Sequence, residues 1–187
     1  MERSDTRLFE ANHDEYVTEQ NEFVLRKPDS TDGSAVYRLV EECKPLDVNS
    51  MYCNLLQCSH FRDTAMLAEL DGQIAGFVSG YRLPERPEVL FVWQLAVAPL
   101  ARGKGLASLM LNSLLQRFHG EVRYLHTTIT PSNQASWNTF RKLARDLDSE
   151  LTSQPMFERE VHFDGAHDTE ELLEIGPFKP AVDQAAG

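Results

Sequence analysis

The chain has 187 residues, 42% of them hydrophobic, and a formal net charge of −11. That length supports one domain with a real core and not two full ones. Such an acidic surface repels nucleic acid and anionic lipid, so neither is expected as a main partner, and a cationic small molecule fits better.

Residues 1–21, "MERSDTRLFEANHDEYVTEQN", are polar and acidic and lack the apolar core of a signal peptide, so they read as a loose segment before a domain spanning 22–178. "EFVLRKP" reads as a short strand. "DSTDGSAVYRLVEECKPL" opens with capping residue types. It continues with Val36, Leu39, Val40 and Cys43 at helical spacing. "NSMYCNLLQCSHF" reads as a second short helix, with Met51, Leu55 and Cys58 on one face. "TAMLAELDGQIAGFVSGYRL" is a hairpin turning at Asp71-Gly72. "LPERPE" reads as a proline-marked loop. "VLFVWQLAVA" is a nearly continuous apolar strand, of the kind buried on both faces.

A turn then leads into a helix, "GKGLASLMLNSLLQRF", with Leu106, Leu109, Met110 and Leu114 on its buried side. "VRYLHTTIT" is a further strand. "SNQASWNTFRKLARDL" is a helix that Ser132 can cap, and "FEREVHF" reads as another strand. "DGAHDTEELLEIGPF" suits a loop followed by a short strand or turn, and 179–187 a loose tail. The order of elements is that of an α/β domain with a mixed central sheet flanked by helices. Cys43, Cys53 and Cys58 form no C-x-x-C pair and read as free thiols of a reducing, cytoplasmic compartment. His162, Asp164 and His167 match no compact zinc spacing, so no metal is expected.

The most distinctive local feature is Arg102-Gly103-Lys104-Gly105-Leu106-Ala107, an R-x-x-G-x-A turn at the start of a helix. Small residues there let a ligand approach the backbone. Unpaired amide groups and the helix dipole favour phosphate. Leu106 follows where a P-loop needs a lysine, and the turn comes too late for a dinucleotide fingerprint. With the preceding L-x-V-x-P strand (Leu95–Pro99) and the later "TPSNQASWNTF", the chain resembles the GNAT superfamily of acyl-CoA N-acyltransferases over about residues 22–175. The resemblance implies that acetyl-CoA is the co-substrate. Its pantetheine arm would bond the backbone of Leu95, Ala96 and Val97. Its pyrophosphate would sit on Arg102, Gly103, Lys104, Gly105, Leu106 and Ala107, and Asn133 would approach it. A backbone N–H near Leu95 would stabilise the oxyanion. Two family groups are absent: Phe140 replaces a common tyrosine acid, and Gln94 stands nearest the position of a glutamate base.

"KPLDVNSMYCNLLQCSHFRDTAML", "FVSGYRLPERP" and "HDTEEL" resemble the diaminobutyrate-acetylating branch of that superfamily. That resemblance implies a homodimer, and a substrate pocket drawn from Asp47, Tyr52, Asn54, Trp93, Thr128, His167 and Glu170. Asp47 and Glu170 are the candidates to receive the proton of the attacking amine. On residues alone, Asp47 reads as a helix cap, Trp93 as core, and "HDTE" as a solvated acidic loop. Arg82 is a candidate partner for a substrate carboxylate. A GNAT enzyme for another small diamine and a silent acyl-CoA sensor both remain open at this point.

Overall fold

The computed structural model describes residues 8–12, 15–18, 23–44 and 46–178. The chain folds into two compact units. One comprises the residues up to Gly80 together with Gln94–Leu114; the other comprises Tyr81–Trp93 and the residues from Leu115 onward.

In the first unit, β1 (Leu8–Asn12), β2 (Glu15–Thr18), β3 (Phe23–Arg26), β4 (Met66–Leu70) and β5 (Gln73–Leu83) follow one another as antiparallel neighbours. Strands β1 and β2 lie inside the segment expected to be loose; the rest of that segment and the C-terminal tail fall outside the described residues. The hairpin at Asp71-Gly72 is present between β4 and β5.

Helix α1 (Gly33–Glu42) buries Val36, Leu39 and Val40, and Cys43 follows at its end. These pack with Leu67, Phe77, Ala96 and Ala98. Burial of each large side chain here is worth about 1.5–3 kcal/mol. A 3-10 turn (Ser30–Asp32) leads into the helix and carries a reciprocal cap: Thr31 N donates to Asp29 Oδ1 at 2.7 Å, and Asp29 N donates to Asp32 Oδ2 at 2.8 Å. Arg26 ties this corner to the sheet. It grips both oxygens of Asp32 at 2.7 and 2.8 Å and reaches Glu69 at 2.7 Å.

Helix α2 (Met51–Ser59) departs from the expected face. Asn54, Gln57 and Cys58 are buried, while Met51 is exposed. The cause is the approach of α1. At Gly33 the Leu55 backbone comes so close that a Cβ would stand 3.0 Å from its Cα and 2.6 Å from its Cδ2. Leu55 is spent on that contact, and the buried face is rotated toward the amides.

Strand β6 (Arg86–Val97) passes from the second unit into the first. A short 3-10 turn (Pro99–Ala101) and helix α3 (Leu106–Arg117) follow it. Helix α3 buries Leu106, Met110, Leu111 and Leu114; Leu109, expected among them, is only half-buried.

In the second unit the strand order is β6, β7 (Tyr124–Ile129), β9 (Glu170–Ile175), β8 (Leu151–Phe157). The first pair is parallel and the others antiparallel. Helix α4 (Gln134–Asp146) is capped by Asn133, whose Oδ1 accepts from Ser136 N, and not by Ser132 as expected. The "LPERPE" loop is a tight turn instead: β5 runs to Leu83, β6 begins at Arg86, and Arg82 Nε donates to the Pro87 carbonyl at 2.6 Å. "FEREVHF" is not one strand. Strand β8 ends at Phe157, and Arg159–His162 forms one helical turn, α5, in which Glu158 N donates to His162 Nδ1 at 2.9 Å. Strand β8 escapes sequence reading because Thr152–Phe157 are all exposed and show no alternation.

Two substitutions check this account. Gly33→Ala should destabilise by about 1–3 kcal/mol through overpacking, although alanine is the better helix former. Urea titration reads this as a lower midpoint with an unchanged slope. Arg26→Ala should cost about 2–3 kcal/mol in the same assay, because Asp32 and Glu69 would be left facing one another without their cation.

Candidate active site

The turn before α3 has the geometry of an anion cradle. Gly103 and Gly105 both hold positive φ, 76° and 77°, a conformation that L side chains avoid. Nothing lies within 4 Å of where either Cβ would be, so the turn opens outward. Residues 102–105 are exposed, and α3 begins directly after them with its first amides available. Backbone alternating through left-handed glycines forms a nest of N–H groups, and Arg102 and Lys104 add charge beside it. Leu106 and Ala107 contribute through backbone position: the Leu106 side chain is buried, and Ala107 is half-buried.

The strand leading in is more constrained than expected. Ala96 is fully buried in the core. The Val97 carbonyl already accepts from Cys43 Sγ and from Arg102 Nε, each at 3.2 Å. Leu95 and Val97 are half-buried.

Asp47 lies in a non-helical segment before α2, with its side chain exposed. It is not the cap of α2. Ser50 has that role, its Oγ accepting from Cys53 N at 3.1 Å. The segment is held by Gln94, whose Nε2 donates to the Asp47 carbonyl at 3.1 Å and whose Oε1 accepts from Asn49 Nδ2 at 3.3 Å. Tyr52 is exposed by 69% on the first turn of α2. Asn54 is fully enclosed, and neither end of its amide has a hydrogen-bond partner among the described residues. A buried amide so placed is costly unless water or a bound group reaches it.

In the second unit, Trp93 is not a core residue; it is 46% exposed. Its ring meets Tyr81 edge-on with centroids 6.3 Å apart, and Tyr81 meets Phe91 at 5.2 Å. Phe91 and Trp93 share a strand face, so the three rings make an outward aromatic row. The pairing of β6 with β7 ends at Val92 and Thr127, and Thr127 Oγ1 donates to the Val92 carbonyl at 3.0 Å. Thr127 is therefore buried and engaged, while its neighbour Thr128 is half-buried.

His167 and Glu170 are brought together, with Nε2 3.9 Å from Oε1. His167 Nδ1 lies 2.7 Å from the Asp168 carbonyl, a distance that requires an N–H there. Nε2, the other ring nitrogen, is the one that faces the Glu170 carboxylate. Arg82 is engaged elsewhere. It bonds Glu121 at 2.6 Å, and its guanidinium lies 5.9 Å from the Phe118 ring centroid. Asn133 spends its Oδ1 on the cap of α4.

None of the cysteines suits acyl carriage. Cys58 is buried, and burial pushes its thiol up to about 12. Burial also raises Cys53. Phe140 is buried, and its phenyl ring has no proton to transfer. Among the described residues, no group of three or more His, Cys, Asp or Glu could hold a metal ion. No described helix is long and apolar enough to cross a membrane.

Tyr81 and the Gln94–Asn49 bridge went unnoticed in the sequence. Tyr81 meets Phe91 and Trp93 from a separate strand, a contact that no local pattern encodes. The bridge joins residues 45 apart and leaves no local signal.

Residues 33–144 match the acetyltransferase (GNAT) family. The L-2,4-diaminobutyric acid acetyltransferase of Methylotuvimicrobium alcaliphilum is 51% identical over 156 residues, covering 83% of this chain and 91% of that one. That of Vibrio cholerae is 48% identical, covering 82% and 89%. Diaminobutyrate acetyltransferase from Paenibacillus lautus, solved with L-2,4-diaminobutyric acid and coenzyme A, superposes with a TM-score of 0.80. It is 41% identical and covers 87% of this chain and 99% of that one. The ribosomal-protein-S18-alanine N-acetyltransferase of Escherichia coli shares the fold at 14% identity, with a TM-score of 0.66. With its mixed sheet, flanking helices and glycine turn, the chain belongs to the GNAT acetyltransferases, and within them to the L-2,4-diaminobutyric acid acetyltransferase family.

Proposed function

We propose that the enzyme transfers acetyl from acetyl-CoA to the γ (N4) amine of L-2,4-diaminobutyrate, giving N4-acetyl-L-2,4-diaminobutyrate for ectoine synthesis and osmoadaptation. The observation that carries this reading is the 41% identical relative solved with that substrate and coenzyme A, whose fold the chain shares at a TM-score of 0.80.

The Gly103–Gly105 nest and the first amides of α3 would receive the pyrophosphate, with Arg102 and Lys104 balancing its charge. The backbone of Leu95 and the Val97 N–H would bond the pantetheine arm. The Val97 carbonyl contributes little, because it already has two donors. The Leu95 N–H is our candidate for the oxyanion contact. Asn133 would approach the coenzyme through its amide nitrogen, because its oxygen caps α4.

On the substrate side, Asp47 would hold the ammonium that does not react, and exposed Trp93 would offer it or its neighbour a π face. Tyr52 and Thr128 would supply hydroxyls, and Asn54 an amide with no hydrogen-bond partner among the described residues. The reacting amine has an ordinary pKa of about 10, so it arrives protonated and must lose a proton. Of the two acceptors named from the sequence, Asp47 is engaged with the other ammonium in this scheme, which leaves Glu170, with His167 beside it, as the candidate. Attack is then direct, in a ternary complex, because Cys43 and Cys58 are buried and no cysteine lies in a motif that would make it an acyl carrier. A homodimer fits the outer strand β8, whose Met156 and Phe157 are exposed, as is Val161 on α5. A cytoplasmic location follows from the need for acetyl-CoA.

Incubation with acetyl-CoA and diaminobutyrate should yield the N4-acetyl product by mass spectrometry, with lysine and ornithine turned over at least tenfold less efficiently; equal kcat/KM for all three would refute the assignment. Initial-rate plots should intersect, and Cys53→Ser with Cys58→Ala should retain kcat within about twofold; parallel lines would reveal an acyl-enzyme. Asp47→Ala should raise KM for diaminobutyrate by tenfold or more and leave coenzyme A binding intact. Conversely, Gly105→Ala, strained by about 1–2 kcal/mol at positive φ, should raise KM for acetyl-CoA roughly tenfold and spare KM for the amine.

A further inference from the structure

Gln94 occupies the strand position nearest to where related acyltransferases carry a glutamate base, and it is only 7% exposed. It points away from Trp93, its neighbour on β6, because successive strand residues face opposite sides. Its amide meets the segment before α2 at two points. Nε2 donates to the Asp47 carbonyl at 3.1 Å, and Oε1 accepts from Asn49 Nδ2 at 3.3 Å. The amide orientation is forced. A carbonyl oxygen accepts only, so the nitrogen must face Asp47 and the oxygen is left for Asn49.

Leu46 packs the start of this segment against the core. The segment has neither helix nor strand from Leu46 to Ser50, and Val48 is 38% exposed. Its ends are fixed by Leu46 N donating to the Cys43 carbonyl at 3.0 Å and by the Ser50 cap of α2. Between those ends, Gln94 grips the peptide on the C-terminal side of Asp47 and the side chain two residues on.

We propose that Gln94 is a positioning residue: its buried amide clamps Asp47–Asn49 and thereby sets where the Asp47 carboxylate meets the substrate ammonium. This rests on the reading of Asp47 as the ammonium holder. It also explains why an amide stands here. An ionised glutamate has acceptors only, so it would face the Asp47 carbonyl oxygen with oxygen and add negative charge beside the Asp47 carboxylate. Restoring the family's base would release the clamp.

The test is steady-state kinetics and titration calorimetry on Gln94→Leu, Gln94→Glu and Asn49→Ala. Loss of one or two bonds of this kind corresponds to about tenfold in affinity. Gln94→Leu and Gln94→Glu should raise KM for diaminobutyrate about tenfold, with kcat and KM for acetyl-CoA within about threefold of wild type. Asn49→Ala, at a half-buried loop position, should give a smaller rise in the same parameter alone. In Gln94→Glu, binding of diaminobutyrate should tighten as pH falls through the introduced carboxyl's pKa, because the protonated acid donates to Asp47 again; Gln94→Leu should show no such recovery. An unchanged KM in both Gln94 variants overturns the proposal. So does a fall in kcat with KM intact, or a parallel loss of coenzyme A binding, which would mark a general structural role. If the wild type fails to acetylate diaminobutyrate, the substrate reading falls by itself. The clamp is then judged by hydrogen exchange of residues 47–50, expected to be about tenfold faster in Gln94→Leu; equal rates would refute it.

Discussion

Strand β6 outruns its pairing with β7, and what lies along the remainder of the strand differs in kind from what lies along its start. It pairs in parallel with β7 from Val89 to Val92, where Thr127 closes the ladder by bonding the Val92 carbonyl. It then runs on through Trp93, Gln94, Leu95, Ala96 and Val97. Backbone polar groups in a buried strand must find partners, so the stretch beyond the ladder is committed to something other than β7. Its side chains are already sorted by the pleat. Trp93 stands exposed beside Tyr81, Gln94 turns inward to Asp47 and Asn49, Ala96 enters the core, and Val97 is tied to Cys43 and Arg102.

The glycine turn before α3 inherits its position from that strand. Arg102 bonds back to Val97, and the Ala98 amide bonds Ala75 at 2.8 Å, so the segment entering the turn is braced before the left-handed glycines begin. The turn is built from backbone and a helix start, which tolerate sequence change, whereas Asp47, Trp93 and His167 are particular side chains on two loops and a strand.

That division also explains what could be read without coordinates. The turn was legible because glycine at two positions and a helix directly after them are local signals. The hairpin, α1 and the presence of β6 were legible for the same reason, but β6 is not buried on both faces as expected: Val92, Gln94 and Ala96 are buried, while Phe91, Leu95 and Val97 are half-buried and Trp93 is exposed. Helix α2 was placed but its faces were misread, since α1 packs Leu55 against Gly33 and no periodicity within α2 encodes a neighbour's approach. Strand β8 was hidden by its exposure. Asp47 looked like a cap because capping residue types are common before helices, and only the geometry shows Ser50 in that role. Gln94 was visible as a missing base and not as a clamp, because its partners lie 45 and 47 residues away.

The two tryptophans of the chain occupy opposite environments. Trp137 is 8% exposed, its Nε1 donates to the Thr130 carbonyl at 3.1 Å, and Arg141 lies over its ring at 5.0 Å. Trp93 stands nearly half exposed in the row of Tyr81 and Phe91. The molecule thus carries a built-in optical pair. Trp137 emits from a rigid, shielded site and reports the integrity of α4. Trp93 emits from a wet one, open to aqueous quenchers, and its spectrum responds when a charged or apolar group covers its face.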